Sequence, residues 1–192
     1  MGYDLIAIGA SWGGLHAIGT VLGGLPGDFE PAIVVAQHRS PDSVAGMLTE
    51  ALGRKSALPV CEADDKEAVR PGQVHLAPPD YHLYVEDGHF ELSVDAPVSF
   101  SRPSIDVLFE SVADSYGARA IGILLTGAND DGAAGLLRIR QSGGLTIVQD
   151  PDEAERDEMP RAALALDAAE QVCPLDSIAP FLRDACGAGR IA

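Results

Sequence analysis

Short apolar runs rich in Ile, Val and Leu, bounded by Gly, Pro or polar residues, recur at Tyr3–Ile8, Ala32–Gln37, Ala120–Thr126 and Leu145–Gln149, with a weaker one at Gln171–Cys173. This is the form of parallel strands buried on both faces. Between them the apolar positions move to helical spacing over Gly14–Leu22, Asp42–Leu52, Ile105–Tyr116 and Gly132–Ser142. The alternation predicts right-handed βαβ crossovers and hence an α/β fold: a doubly wound, mostly parallel sheet with helices on both faces. The middle of the chain departs from it. Tyr81–Glu86 and His89–Val94 flank Asp87-Gly88, a dipeptide suited to a type I′ turn, so an antiparallel hairpin is expected at one sheet edge. Pro103 is expected to begin the helix that follows it, and Gly117 to supply a left-handed cap where that helix ends. The run Asp150–Glu158, with six acids and one Arg, reads as a solvated loop.

Length and composition fit that picture. The chain has 192 residues, 46% apolar and 22% charged, which suits one globular domain over residues 1–192. Thirteen basic against 29 acidic residues give a net charge of −16. Such a surface repels a phosphate backbone, so nucleic acid is not an expected partner. Cys61, Cys173 and Cys186 are odd in number, widely spaced and lack a CxxC pair, which argues against a disulfide framework or a zinc site and for a reducing compartment. The N-terminus runs straight into a strand, and no uncharged stretch approaches the roughly 20 residues that span a bilayer. A cytoplasmic location without membrane insertion is expected, with no metal and no cofactor.

In a doubly wound sheet, ligands bind beyond the carboxyl ends of the strands. Three loops fall there: Gly9-Ala10-Ser11-Trp12-Gly13-Gly14 after the first strand, His38-Arg39-Ser40-Pro41 after the second, and Gly127-Ala128-Asn129-Asp130-Asp131-Gly132 after the strand at Ala120–Thr126. Gly9-Ala10-Ser11-Trp12-Gly13 fits a G-x-S-x-G turn that exposes a serine hydroxyl. The competing reading is a dinucleotide-binding turn. It is disfavoured because Ser11 replaces the middle glycine and the second strand ends in Gln37-His38 rather than in a ribose-binding acid. If the first two strands are neighbours, their ends lie about 5 Å apart, and His38 can reach Ser11. His16, His75, His82 and His89 have no such neighbour and read as structural or surface residues. Asp130 or Asp131 supplies an acid to orient His38, but either could equally be a helix N-cap, and the residues alone do not separate them.

With these residues in view, the chain resembles the catalytic domain of the CheB family, bacterial chemotaxis protein-glutamate methylesterases. The likeness spans nearly the whole length. It rests on Ile8-Gly9-Ala10-Ser11 with Gly13-Gly14, Gln37-His38, Leu76-Ala77-Pro78, Ser101-Arg102-Pro103-Ser104-Ile105-Asp106-Val107-Leu108-Phe109, Leu124-Leu125-Thr126-Gly127 with Asp131-Gly132-Ala133-Ala134-Gly135, and Met159-Pro160-Arg161. The resemblance implies Ser11 as nucleophile, His38 as base and Asp131 as the acid, in an order unlike that of α/β-hydrolases. It implies hydrolysis of glutamyl methyl esters on a chemoreceptor-like protein, with glutamine deamidation as a related reaction. A cognate methyltransferase or a separate response regulator is an implied partner, because Tyr3 already begins the first catalytic strand and the family's receiver domain has no counterpart ahead of it.

Two positions depart from the family pattern. Trp12 follows the serine where the family has a small residue or Thr, and is expected to narrow the pocket or offer a stacking surface. Ala128 stands where the family has a Met beside its oxyanion position, and its backbone N–H can still donate there. Arg39, Arg102 and Arg161 are candidates for a locally positive rim that receives an acidic receptor. The alternative function is an adaptor or regulatory version of the fold, catalytically altered, that binds a methyltransferase or receptor.

Overall fold

Every strand near the middle of the main sheet consists entirely of buried residues, so each needs a helical layer on both faces. The computed structural model of the chain describes residues 2–40, 42–44 and 46–187. In chain order the elements are β1 (Leu5–Ala10), α1 (Gly14–Gly23), β2 (Ala32–Gln37), α2 (Met47–Gly53), β3 (Val60–Glu62), β4 (Val74–Leu76), β5 (His82–Glu86), β6 (His89–Ser93), α3 (Ile105–Tyr116), β7 (Ala120–Leu124), α4 (Ala133–Gln141), β8 (Leu145–Gln149), α5 (Glu158–Ala165), β9 (Gln171–Cys173) and α6 (Leu175–Gly187).

Seven strands form one parallel sheet in the order β3-β4-β2-β1-β7-β8-β9. From β1 the chain builds outward through β2, then crosses back to place β7 on the other side of β1. The strand order therefore reverses between β1 and β7, and the crevice outside their carboxyl ends is where such a sheet binds ligands. The two-residue period of the strands divides the core. Leu5, Ala7 and Val34 pack with Ile105, Phe109, Leu136 and Met159 of α3, α4 and α5. Ile6, Ile8, Ile33 and Val35 pack with Ile18, Leu22, Leu52 and Leu182 of α1, α2 and α6. The small residues on the α3 side let that helix come close: a Cβ built on Gly9 would lie 2.3 Å from Ile105 Cγ2. This close approach carries the start of α3 to the rim where β1 ends.

The hairpin forms at β5 and β6, with Asp87 and Gly88 both at positive φ, +48° and +78°, as a type I′ turn requires. It does not join the edge of the seven-stranded sheet, where it was expected, and is a two-stranded sheet of its own. The reason lies in its outward backbone groups. Val85 N donates to Ser111 Oγ at 3.0 Å and Val85 O accepts from Ser115 Oγ at 2.7 Å, so side chains of α3 take the place of a neighbouring strand.

Other boundaries differ in explicable ways. The first strand runs to Ala10, two residues beyond the expected end, because Ala10 still pairs with Gln37. The helix expected over 42–52 begins at Met47, after Gly46 at φ +78°, while Ala45 and Pro41 lie outside the described residues. Helix α3 starts at Ile105 behind the cap residue Ser104, two residues past Pro103, and Gly117 ends it at φ +52° and ψ −124°, a positive-φ conformation but not the left-handed helical cap expected there. No helix among the described residues is long and apolar enough to cross a membrane.

Candidate active site

The register of β1 and β2 places Ala10 opposite Gln37, so Ser11 and His38 are the next residues on adjacent strand ends. Backbone bonds hold both: His38 N donates to Ala10 O at 3.0 Å, and Ser11 N donates to Thr126 O at 2.9 Å. The Gln37 amide adds a clamp, its Nε2 donating to Ser11 O at 2.8 Å and to His38 O at 2.9 Å. Sequence reasoning assigned Gln37 no role, because a side chain that bridges two backbone carbonyls leaves no mark on spacing.

His38 Nε2 lies 2.6 Å from Asp131 Oδ2. Asp131 is fully buried and Asp130 exposed, and Asp131 is the aspartate that meets the histidine. The N-terminus of α3 surrounds its carboxylate. Ile105 N donates to Oδ2 at 2.7 Å, Asp106 N to Oδ1 at 3.0 Å and Ser104 Oγ to Oδ1 at 2.8 Å. Burial by itself would raise its pKa. The bonds from His38, Ile105 N and Asp106 N outweigh burial and hold the carboxyl below its ordinary value. The neighbouring Asp106 moves the other way, up to about 6, because burial dominates and Asp131 adds repulsion against the bond from Gly135 N.

An ionised Asp131 accepts, so the Nε2–H of His38 is committed and Nδ1 carries the lone pair. In the familiar serine-protease triad the acid binds Nδ1 instead, and here the ring is used the other way round. Nδ1 is 3.3 Å from Ser101 Oγ, and among the described residues Ser11 Oγ makes no hydrogen bond to the ring. Ser101 is a second hydroxyl at this site; it stands within a motif of the family resemblance, but sequence reasoning assigned it no role.

Trp12 is 59% exposed and does not close over Ser11. Its Nε1 donates to Glu155 Oε1 at 2.8 Å and Arg156 lies over its ring at 5.6 Å. Both partners come from the acidic segment expected to be a solvated loop. That segment is a loop with most of its acids exposed, as expected, and its backbone also docks on the site, with Arg156 N donating to Thr126 Oγ1 at 2.9 Å, Gly127 N to Arg156 O at 3.1 Å and Met159 N to Gly127 O at 3.0 Å. Gly13, at φ +79°, makes room for it: a Cβ there would lie 2.7 Å from Glu155 Oε2. The Trp12 and Ala128 amides donate to no protein acceptor among the described residues, and Ala128 is exposed.

The three candidate rim arginines are already engaged. Arg39 is buried against Glu62 and Ala77 O; Arg102 binds Asp80 and the carbonyls of Val94 and Asp95; Arg161 pairs with Asp157 and Asp152. None offers an uncommitted charge. Of the remaining histidines, His75 and His82 are buried with polar partners, His16 and His89 exposed. A groove of about 430 Å³ opens beside Ser11, lined also by Gly14, Leu15, His16, Gln37 and Lys55.

The family model described as CheB methylesterase matches residues 6–182. The chain belongs to the CheB methylesterase family. It is thereby an enzyme of the carboxylic-ester hydrolase class. A putative protein-glutamate methylesterase/protein-glutamine glutaminase of Leptospira interrogans (serovar copenhageni) is 44% identical over 185 residues, covering 95% of each chain. A protein-glutamate methylesterase/protein-glutamine glutaminase of Xanthomonas oryzae pv. oryzae is 46% identical over 182 residues, but the chain spans only half of that protein. The crystal structure of the Thermotoga maritima CheB methylesterase catalytic domain superposes with a TM-score of 0.89 at 31% identity, covering 95% of this chain and 98% of that one.

Proposed function

We propose that residues 1–192 act as one catalytic domain that hydrolyses glutamyl methyl esters on a methylated chemoreceptor-like protein through Ser11, His38 and Asp131. The observation that carries this is the 2.6 Å contact of His38 with a fully buried Asp131, set one strand end away from Ser11 at the switch point of the sheet. Asp131 fixes the imidazole with its lone pair on Nδ1. In the reacting complex Ser11 Oγ takes the place on Nδ1 that Ser101 holds at rest, and passes its proton there as it attacks the ester carbonyl. The Trp12 and Ala128 amides stabilise the oxyanion. Collapse of the tetrahedral adduct breaks the ester C–O bond; His38 returns the proton to methoxide, which leaves as methanol. Water then attacks the acyl-enzyme with His38 as base, freeing glutamate and Ser11. With a glutamine side chain the same steps release ammonia, the second reaction in the relatives' names.

Methanol release from a methyl-esterified receptor peptide tests the proposal. Ser11→Ala is expected to abolish it while the folded circular-dichroism spectrum persists. Turnover retained by a folded variant overturns the assignment.

A further inference from the structure

A protein carrying a net charge of −16 repels an acidic partner unless uncommitted cations stand where that partner docks. Such cations are scarce here. Among the described residues, every lysine and arginine except Lys55, Arg156 and Arg183 has a carboxylate oxygen within 4.0 Å. Arg183 sits away from the site, beside Asp28 and Glu30, and reaches Gly24 O. The other two flank Ser11.

Both are held in place with no carboxylate oxygen within 4.0 Å, Arg156 on a surface that it shares with Asp152, Glu155, Asp157 and Glu158. Lys55 lines the groove that contains Ser11, and its stem lies over Gly19 of α1, where a Cβ would come within 2.6 Å of Lys55 Cδ. The absent side chain at Gly19 is what lets the lysine lie across the helix. Arg156 is fixed through its backbone, which exchanges hydrogen bonds with Thr126 and Gly127, and its guanidinium lies over Trp12, the residue after Ser11. Glu155 beside it is turned to the indole Nε1 and holds the ring that supports the guanidinium.

We propose that Lys55 and Arg156 form a recognition site for carboxylates on either side of the esterified glutamate, so that the enzyme selects its ester within an acidic segment of the partner. This rests on the methylesterase reading of Ser11 given above. Two exposed contacts of this kind change kcat/KM by about tenfold at low salt, and the effect is screened as ionic strength rises.

The test compares two peptides that carry the same methyl-esterified glutamate, one with Glu and one with Ser a helical turn to each side, by methanol release. The wild-type protein is expected to favour the Glu peptide about tenfold in kcat/KM, chiefly through KM, and to lose the preference in 0.5 M salt. Lys55→Glu with Arg156→Glu is expected to reverse it, and Lys55→Gln with Arg156→Gln to bring the ratio near one. A wild-type ratio near one, or the same ratio in wild type and both variants, overturns the proposal. Methanol from neither peptide with the wild-type protein removes the methylesterase reading itself, and this inference with it.

Discussion

At the scale of single residues, Asp131 and Asp130 show how burial turns an ambiguous pair into two different groups. Both precede a helix and both are aspartates, yet Asp131 is buried under four donors, His38 among them, and Asp130 faces solvent. Asp131→Asn is therefore expected to lower kcat by about 10³–10⁴-fold, because the amide no longer selects the tautomer with its lone pair on Nδ1. Asp130→Asn is expected to stay within about twofold of wild type by the same methanol assay, and equal losses in the two variants contradict the assignment. Ser11 and His38 were legible in the sequence because each stands directly after an apolar run. The residues by themselves did not choose between the aspartates, and only the family resemblance pointed to Asp131, since the choice depends on where α3 arrives, and α3 lies 25 residues away in the chain. The engagement of Arg39 and Arg102 was hidden for the same reason: Glu62 and Asp80 are 23 and 22 residues distant.

At the scale of elements, the site is the place where the N-termini of α3 and α4 meet the end of β1. Asp106 ties the two helices, its Oδ1 accepting from Gly135 N at 2.7 Å beside the Asp131 carboxylate. Its pKa is raised in the folded protein to about 6 from an ordinary 3.8, so the folded state binds the Asp106 proton more tightly than the unfolded chain. That contribution is fully present below the ordinary value and is lost as pH rises through about 6. Asp131 has the opposite sign: its lowered pKa gives stability that is present above the ordinary value and lost as pH falls through the folded one. Asp106→Asn keeps an acceptor for Gly135 N and removes the buried charge. The variant is expected to gain stability relative to wild type between pH 5 and pH 8, measured by urea unfolding at both, and a constant difference contradicts this account.

Long elements were readable and short or disguised ones were not. The apolar periodicity of β2, α3 and β8 is uninterrupted, and their expected bounds are the observed ones. Strands β3 and β4 are three residues each, too short for a pattern, and pair only because β2 offers an open edge. Helix α5 begins inside the acidic run, and α6 carries Pro180 within it, so each had its helical signal masked by local chemistry.

At the scale of the whole molecule, the candidate chemistry exists only in the folded sheet. His38 and Asp131 are 93 residues apart, and Trp12 is steadied by Glu155 from 143 residues away. Strand order brings them together, because β1 lies between β2 and β7 and the carboxyl ends of all three face one rim. The excess of acid over the rest of the surface leaves three cations without a carboxylate oxygen within 4.0 Å among the described residues, and two of them, Lys55 and Arg156, stand beside Ser11.

The central claim, that this assembly activates Ser11, is tested most directly by locating the adduct formed with a fluorophosphonate by peptide mass spectrometry. Two hydroxyls are candidates near His38, which makes the position of the label decisive. The account predicts a single adduct on Ser11 in the native protein, absent after unfolding in urea and lost in His38→Ala. An adduct on Ser101, or no adduct on the native protein, would contradict it.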